Sequence, residues 1–160
     1  MSKASSRGKN EPLRPVDVPQ SDSLPTIRAV VAVADKANRS VGAISGIIGV
    51  SDRHVRYRLQ SARILGLVDR DRVLTARGKA LLATAPGSDA ERALLAVAMK
   101  NSLVVSHLFP NLLTVASVDL ESMANAISAS TGLSHSTAHR RARVLRSWRR
   151  QLKLDGKVKA

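Results

Sequence analysis

The sequence predicts a mainly α-helical fold in which two halves repeat one pattern. The 160 residues include only one Phe, one Tyr and one Trp. A core must therefore be packed from Ala, Val, Leu and Ile, which favours short, closely packed helices. Apolar residues recur at helical spacing, and a helix with a capping serine and an apolar seam at residues 51–62 recurs 83 positions later, at residues 134–145. The chain is therefore predicted to be an internal duplication of one helical unit.

The strong positive charge of the chain limits the kinds of function that it can have. The chain carries 26 Lys and Arg against 12 Asp and Glu, a formal charge of +14 with a pI near 11.5. Such a field attracts phosphate backbones and, less often, anionic membranes or acidic proteins. The lack of cysteine excludes disulfides and thiolate metal sites. No apolar run approaches the ~20 residues of a membrane span, and no secretory signal is evident, so we expect a cytoplasmic protein with no membrane partner.

Residues 1–23 are polar, contain three prolines and show no apolar periodicity. This composition predicts a disordered basic tail. A solvated leader is the simpler interpretation, and a weak phosphate-binding arm formed by Lys3, Arg7, Lys9 and Arg14 is the alternative.

Helix signals follow the tail. An amphipathic helix begins at Leu24 and is expected to end near Asn38. Ser40 can cap a second, short helix, which Gly49 stops. Ser51 can cap a third helix. The apolar seam of this third helix is formed by Val55, Leu59 and Ala62.

This run, AISGIIGVSDRHVRYRLQSARILGLV, resembles the helix-turn-helix of bacterial winged-helix regulators. The matching residues are Ala43, Ile44, Gly49, Val50, Ser51, Val55, Leu59, Leu65, Gly66, Leu67 and Val68. The resemblance implies a wing of two short strands, at residues 67–69 and 73–75, around a polar turn. It also implies that residues 75–82, of the form LT-x-x-G-x-x-L, close the domain as a helix. The match covers roughly residues 24–84 and predicts a winged helix-turn-helix domain at residues 24–85.

The second half repeats the pattern after a linker signal at residues 85–87. Ser88 and Glu91 are spaced as a capping box, an apolar segment follows at residues 103–109, and Asp119 can cap the next helix. At an offset of 83 residues the matched pairs are Ala43 and Ala126, Ile44 and Ile127, Gly49 and Gly132, Val50 and Leu133, Ser51 and Ser134, Val55 and Ala138, Leu59 and Ala142, and Ala62 and Leu145.

The last residues complete the second copy. Residues 152–159 alternate around an Asp-Gly pair, which is a strong hairpin signal. We therefore predict a second winged helix-turn-helix domain at residues 86–160, with a minimal β-hairpin wing. The predicted fold class is mainly α, with two such domains in tandem.

In a helix-turn-helix the second helix lies in the major groove, with its early exposed residues against base edges. With Val55 in the core, the polar face of the third helix carries Arg and Gln, which suit guanine and adenine. The predicted DNA-binding residues of this helix are Arg53, His54, Arg56, Tyr57 and Gln60. On the first wing, Arg70 and Arg72 are expected to contact phosphates or the minor groove. A lone surface arginine is usually only solvated. The prediction of DNA binding therefore rests on the concentration of basic residues on one face of the helix.

The equivalent helix of the second half adds more positive charge. Its predicted DNA-binding residues are Ser136, His139, Arg140, Arg143, Arg146, Arg149 and Arg150. Phosphate contact is expected for the arginines that stand further round this helix, which are Arg141, Arg146, Arg149 and Arg150. The first copy is predicted to read bases and the second to clamp the backbone.

Catalytic and metal-binding patterns are weak. His135 and His139 stand at i and i+4, but no further ligand lies near them in sequence. Asp69 and Asp71 could suggest a paired-carboxylate nuclease, although their place beside an Arg-rich turn fits hairpin solubility better. We therefore expect no enzymatic activity, no metal and no cofactor.

The leading function hypothesis is sequence-specific binding of double-stranded DNA by a nucleoid-associated transcriptional regulator of bacterial type. One alternative is a DNA-binding accessory protein of a plasmid replication or segregation system, since tandem winged helices also resemble those of replication initiators and segregation proteins. A restriction or defence system belongs to the same alternative, since the segment from Leu94 through Trp148 resembles winged-helix accessory domains of such systems. Another is a winged-helix module that binds an acidic protein. Homodimerisation through Ile64, Leu103 or Val104 also stays open.

Overall fold

The computed structural model describes residues 11–38 and 40–152. In this part of the chain a 3-10 turn, Pro15–Asp17, precedes eight α-helices. The helices are α1 (Leu24–Ala34), α2 (Val41–Ile48), α3 (Asp52–Ile64), α4 (Ala76–Leu82), α5 (Asp89–Asn101), α6 (Leu103–Leu108), α7 (Leu120–Thr131) and α8 (His135–Gln151). The predicted mainly helical fold is confirmed. α1 ends earlier than the expected position near Asn38. None of the described helices is long and apolar enough to cross a membrane.

Local side chains set where the helices begin. The Ser51 hydroxyl accepts the His54 N–H at 3.3 Å, and the Ser134 hydroxyl accepts the Thr137 N–H at the same distance. These bonds satisfy donors that the first helical turn leaves without a partner. Ser40, Ser88 and Asp119 also cap their helices as predicted. The Glu91 carboxylate accepts the Gly87 N–H instead of closing a capping box on Ser88.

The turns before α3 and α8 have the same geometry. Gly49 and Gly132 end the preceding helices in the left-handed region, with φ of 71° and 75°. Their N–H groups donate to the carbonyls of Ser45 and Ser128, at 2.9 Å in both cases. The hydroxyls of the same two serines donate to the carbonyl five residues further on. At these two turns, the repeat seen in the sequence is therefore also a repeat of backbone structure.

Both halves pack into a shared core. Residues with no exposed surface in one continuous cluster include Ile27 of α1, Leu65 after α3, Ile127 of α7 and Trp148 of α8. A smaller cluster lies among α1, α2 and α3. The predicted boundary at residues 85/86 therefore does not separate two cores.

The first wing differs from the prediction. Val68 and Leu74 form one isolated antiparallel bridge, and no strand occurs in the described residues. The Asp69 carboxylate accepts the N–H groups of Asp71 at 2.8 Å and Val73 at 3.0 Å. These side-chain bonds take turn donors that a longer hairpin would use in its ladder. The two predicted strands are thus reduced to a bridged turn.

α4 closes against this turn through a glycine. A Cβ on Gly78 would lie 2.1 Å from the carbonyl oxygen of Leu67, so only glycine allows this approach. The second wing was predicted at residues 152–159, and all of it beyond Leu152 lies outside the described residues.

The N-terminal segment corrects the prediction of a disordered tail. Leu13 and Val18 are only 6% and 0% exposed, and residues 13–23 run between α3 and α8. We call residues 13–23 the N-terminal strap. Composition misses the strap because a few apolar side chains anchor it, while its polar backbone is held by side chains far away in sequence. Residues 1–10, with Lys3, Arg7 and Lys9, lie outside the described residues.

Candidate nucleic-acid interface

α3 presents its early arginines to solvent because its seam is buried. Val55 has no exposed surface and Leu59 is 5% exposed, which turns the opposite face outward. Arg53, His54 and Arg56 are exposed there. These three predicted DNA-binding residues therefore lie together at the start of the helix.

Tyr57 holds Arg53 in place. The Arg53 Nε donates to the Tyr57 hydroxyl at 2.6 Å, and the guanidinium carbon lies 5.4 Å from the centre of the phenol ring. The hydrogen bond and the cation–π contact restrict the arginine to few rotamers. Tyr57 is half-buried, so it is better placed to position Arg53 than to contact a base itself.

Gln60 does not fit its predicted role as a base reader. Its Nε2 donates to the Val16 carbonyl at 3.1 Å, and its Oε1 accepts from the Gln20 amide at 3.0 Å. Both ends of the side-chain amide are thus used by the N-terminal strap. Sequence reasoning placed Gln60 on the open face because it took the strap to be disordered.

The bridged turn carries the other two predicted residues of the first half. Arg70 is exposed at its tip, and Arg72 is half-buried with a left-handed backbone, φ 62°. Both lie beside Asn38 around a shallow depression in the surface. The turn therefore keeps two cations near the end of α1, away from the core.

α8 is the most basic element. Its 17 residues include six Arg and no Asp or Glu. Among the predicted residues, Ser136, Arg140, Arg143 and Arg150 are exposed, and His139 and Arg146 are half-buried. The exposed arginines leave one face of the helix strongly positive.

Arg149 is buried, contrary to the prediction from the sequence. It was predicted to contact phosphate, but it is 5% exposed and its guanidinium donates to the Val115 carbonyl at 2.5 Å. Arg149 stands four residues after Leu145 and seven after Ala142, so helical periodicity places it on the apolar seam. The side chain is therefore buried in spite of its charge.

Arg141 has a structural role that the sequence did not reveal. Its guanidinium donates to the carbonyls of Pro15, at 3.2 Å, and Val18, at 2.7 Å. Burial lowers the pKa of Arg141, the electrostatic influence of Tyr57 opposes that shift, and the charge of Arg140 adds to it. Arg141 therefore ties α8 to the N-terminal strap close to Tyr57 of α3.

The histidine pair of α8 has another partner. The Nε2 of His135 lies 2.9 Å from a carboxylate oxygen of Glu121, and the rings of His135 and His139 are 6.2 Å apart. No group of three or more metal-ligating side chains occurs in the described ranges. His135 thus makes a polar contact between α7 and α8.

No family model, curated protein or solved structure matches the chain. The arrangement of its own residues is therefore the basis for assigning a function.

Proposed function

We propose that the chain binds double-stranded DNA, sequence-specifically and without catalysing a reaction, as a transcriptional regulator. The observation that carries the proposal is the repeated turn: Gly49 and Gly132 each set a capped helix whose exposed face carries arginines. A helix held in this way by its apolar seam presents its first turns outward, which is how helix-turn-helix proteins enter the major groove. The charge of +14 supplies attraction to the phosphate backbone.

The two helices have different roles in this proposal. Arg53 and Arg56 of α3 contact base edges, because both are exposed at the start of the helix and an arginine can form the bidentate contact to guanine. Arg140, Arg143 and Arg150 of α8 contact phosphates, which fixes the position of the chain without selecting sequence. Arg70 supports them from the bridged turn. Gln60 and Arg149 take no part, because their polar groups are engaged inside the protein.

Binding to random duplex, measured by fluorescence anisotropy at two salt concentrations, tests the proposal. We expect affinity that falls steeply as salt rises, by about 0.9 log units per log unit of salt for each phosphate contact. Negligible binding at both salt concentrations would contradict DNA binding. It would favour the alternative in which the chain is an interaction module that binds an acidic protein.

Variants separate the two roles. Arg56→Ala should lose about 1–3 kcal/mol of discrimination between preferred and random duplex. Arg143→Ala should weaken binding to the preferred and the random duplex by the same factor. Lys100→Ala, which removes an exposed charge from α5, is the matched control and should change neither value appreciably. The neighbouring genes distinguish a regulator from an accessory protein of a replication or defence system.

A further inference from the structure

The N-terminal strap joins α3 and α8 at one atom. Gln60 of α3 and Arg141 of α8 both donate to the carbonyl oxygen of Val18, at 3.5 Å and 2.7 Å. Val18 itself has no exposed surface. The distance between α3 and α8 at this point is therefore limited by the lengths of the Gln60 and Arg141 side chains.

A second junction lies further along the strap. The N–H of Ser21 donates to the Ser61 hydroxyl of α3 at 3.2 Å, and the Ser21 carbonyl accepts the indole N–H of Trp148 of α8 at 2.9 Å. Ser61 and Trp148 have no exposed surface. Because one residue uses both of its backbone groups to bridge the helices, separating them would leave buried polar groups without partners.

The spacing of these helices conflicts with a paired half-site. Helix-turn-helix dimers place their two recognition helices in successive major grooves, ~34–36 Å apart. Gln60 is the ninth of the 13 residues of α3, and Arg141 is the seventh of the 17 residues of α8. At these positions the two helices are therefore much closer together than that. A major groove ~12 Å wide admits one helix, so with α3 in the groove α8 must lie over the adjoining backbone.

We propose that one chain recognises a single uninterrupted stretch of duplex, with α3 in the major groove and α8 along the flanking phosphates. This inference rests on the proposed DNA binding and adds its geometry. The duplication then supplies one helix that contacts bases, α3, and one that contacts the phosphate backbone, α8, and the N-terminal strap holds them side by side. Each DNA site binds one chain.

Selection of bound sequences from a random duplex pool tests the geometry, together with the stoichiometry of the selected complex. We expect one continuous motif and one chain per site. Two motif halves whose centres are one helical turn apart would overturn this inference but leave the proposed DNA binding intact. Failure to enrich any duplex would overturn the proposed function, and the inference with it.

A distance measurement gives a second readout. The chain has no native cysteine, so Asp52→Cys and His135→Cys place spin labels on the equivalent first residues of α3 and α8, both exposed. Double electron–electron resonance should give the same distance between the two labels in the free chain and in its complex with the selected duplex. A distance that lengthens when DNA binds would show that the helices separate to reach two grooves, and would overturn the inference.

Discussion

Gly49 and Gly132 end α2 and α7 in the same left-handed conformation, with φ of 71° and 75°. Each N–H donates to the carbonyl four residues earlier, at 2.9 Å. A side chain is disfavoured at such angles even where space is free, and nothing lies within 4 Å of a Cβ built at either position. Backbone conformation, and not crowding, is therefore the reason for both glycines.

Gly49→Ala and Gly132→Ala should each lower the free energy of unfolding by about 1 kcal/mol, because alanine must adopt a left-handed backbone. Urea denaturation of the two variants checks the values. Equal losses are expected, since the two turns share one geometry.

Gly46→Ala is the matched control for both glycine variants. Gly46 lies inside α2, is exposed, and has open space around a Cβ. Alanine there should raise stability by roughly 0.5–1 kcal/mol through helix propensity. Destabilisation by all three substitutions would mean that left-handed strain is not the cause.

Trp148→Phe should destabilise the fold by about 2–4 kcal/mol, through the cavity that the smaller ring leaves in the core and through the loss of a hydrogen bond. The substitution removes the indole N–H and leaves the Ser21 carbonyl, its acceptor at 2.9 Å, without that donor. Chemical denaturation measures the loss. Ser147→Ala removes a half-buried hydroxyl that donates to the Asp22 carbonyl at 3.4 Å and accepts from the Gln151 amide at 2.9 Å, and should cost about 1 kcal/mol or less. Similar losses for the two variants would argue against a special role for the Ser21 bridge.

Arg28→Met should cost about 2–3 kcal/mol, because it removes the partner of a largely buried carboxylate. Arg28 of α1 lies 2.5 Å from Glu91 of α5, and their side chains are 13% and 14% exposed. The same guanidinium donates to the Thr84 carbonyl at 2.7 Å. Thermal and urea unfolding should both report the loss.

The ion pair of Arg92 and Asp89 is the control for Arg28. The Asp89 side chain is 75% exposed, so Arg92→Ala should cost less than about 1 kcal/mol. If this variant were as destabilised as Arg28→Met, burial would not be what makes the α1–α5 pair important.

Replacing Arg140 and Arg143 together by alanine should reduce the salt slope of DNA binding by about two, because each phosphate contact contributes roughly 0.9. Arg149→Met should leave the slope unchanged and instead lower stability by about 1–3 kcal/mol, since Arg149 is bound to the Val115 carbonyl in the interior. Salt titrations of affinity, with unfolding curves beside them, separate the two effects. A lower slope for Arg149→Met would contradict the buried assignment.

Local signals in the sequence predict the helices well. Ser51, Ser134 and Asp119 cap the helices they were expected to cap, and Gly49 and Gly132 end the preceding ones. Capping and left-handed termination depend on residues within one turn of each other, so they can be read without knowledge of the fold. The predicted repeat of the helix-turn pattern succeeds for the same reason.

Contacts distant in sequence account for the errors. Gln60 was assigned to bases because nothing near it in sequence shows that Val16 and Gln20 occupy its amide. The strap was expected to be disordered because its partners on α8 lie more than 120 residues away. Arg149 differs from these two, because its place on the apolar seam could have been deduced from its spacing to Leu145.

The ties of the N-terminal strap also set an order of assembly during protein synthesis. The N–H of Leu24 donates to the Gln151 side chain at 2.8 Å, and Ser21 meets Trp148, each pair 127 positions apart. Closing a loop of this length carries an entropic cost that local helices do not pay. A ribosome must therefore release the chain as far as Trp148 and Gln151 before the N-terminal strap can join α3 to α8, so their common surface forms only after α8 has emerged.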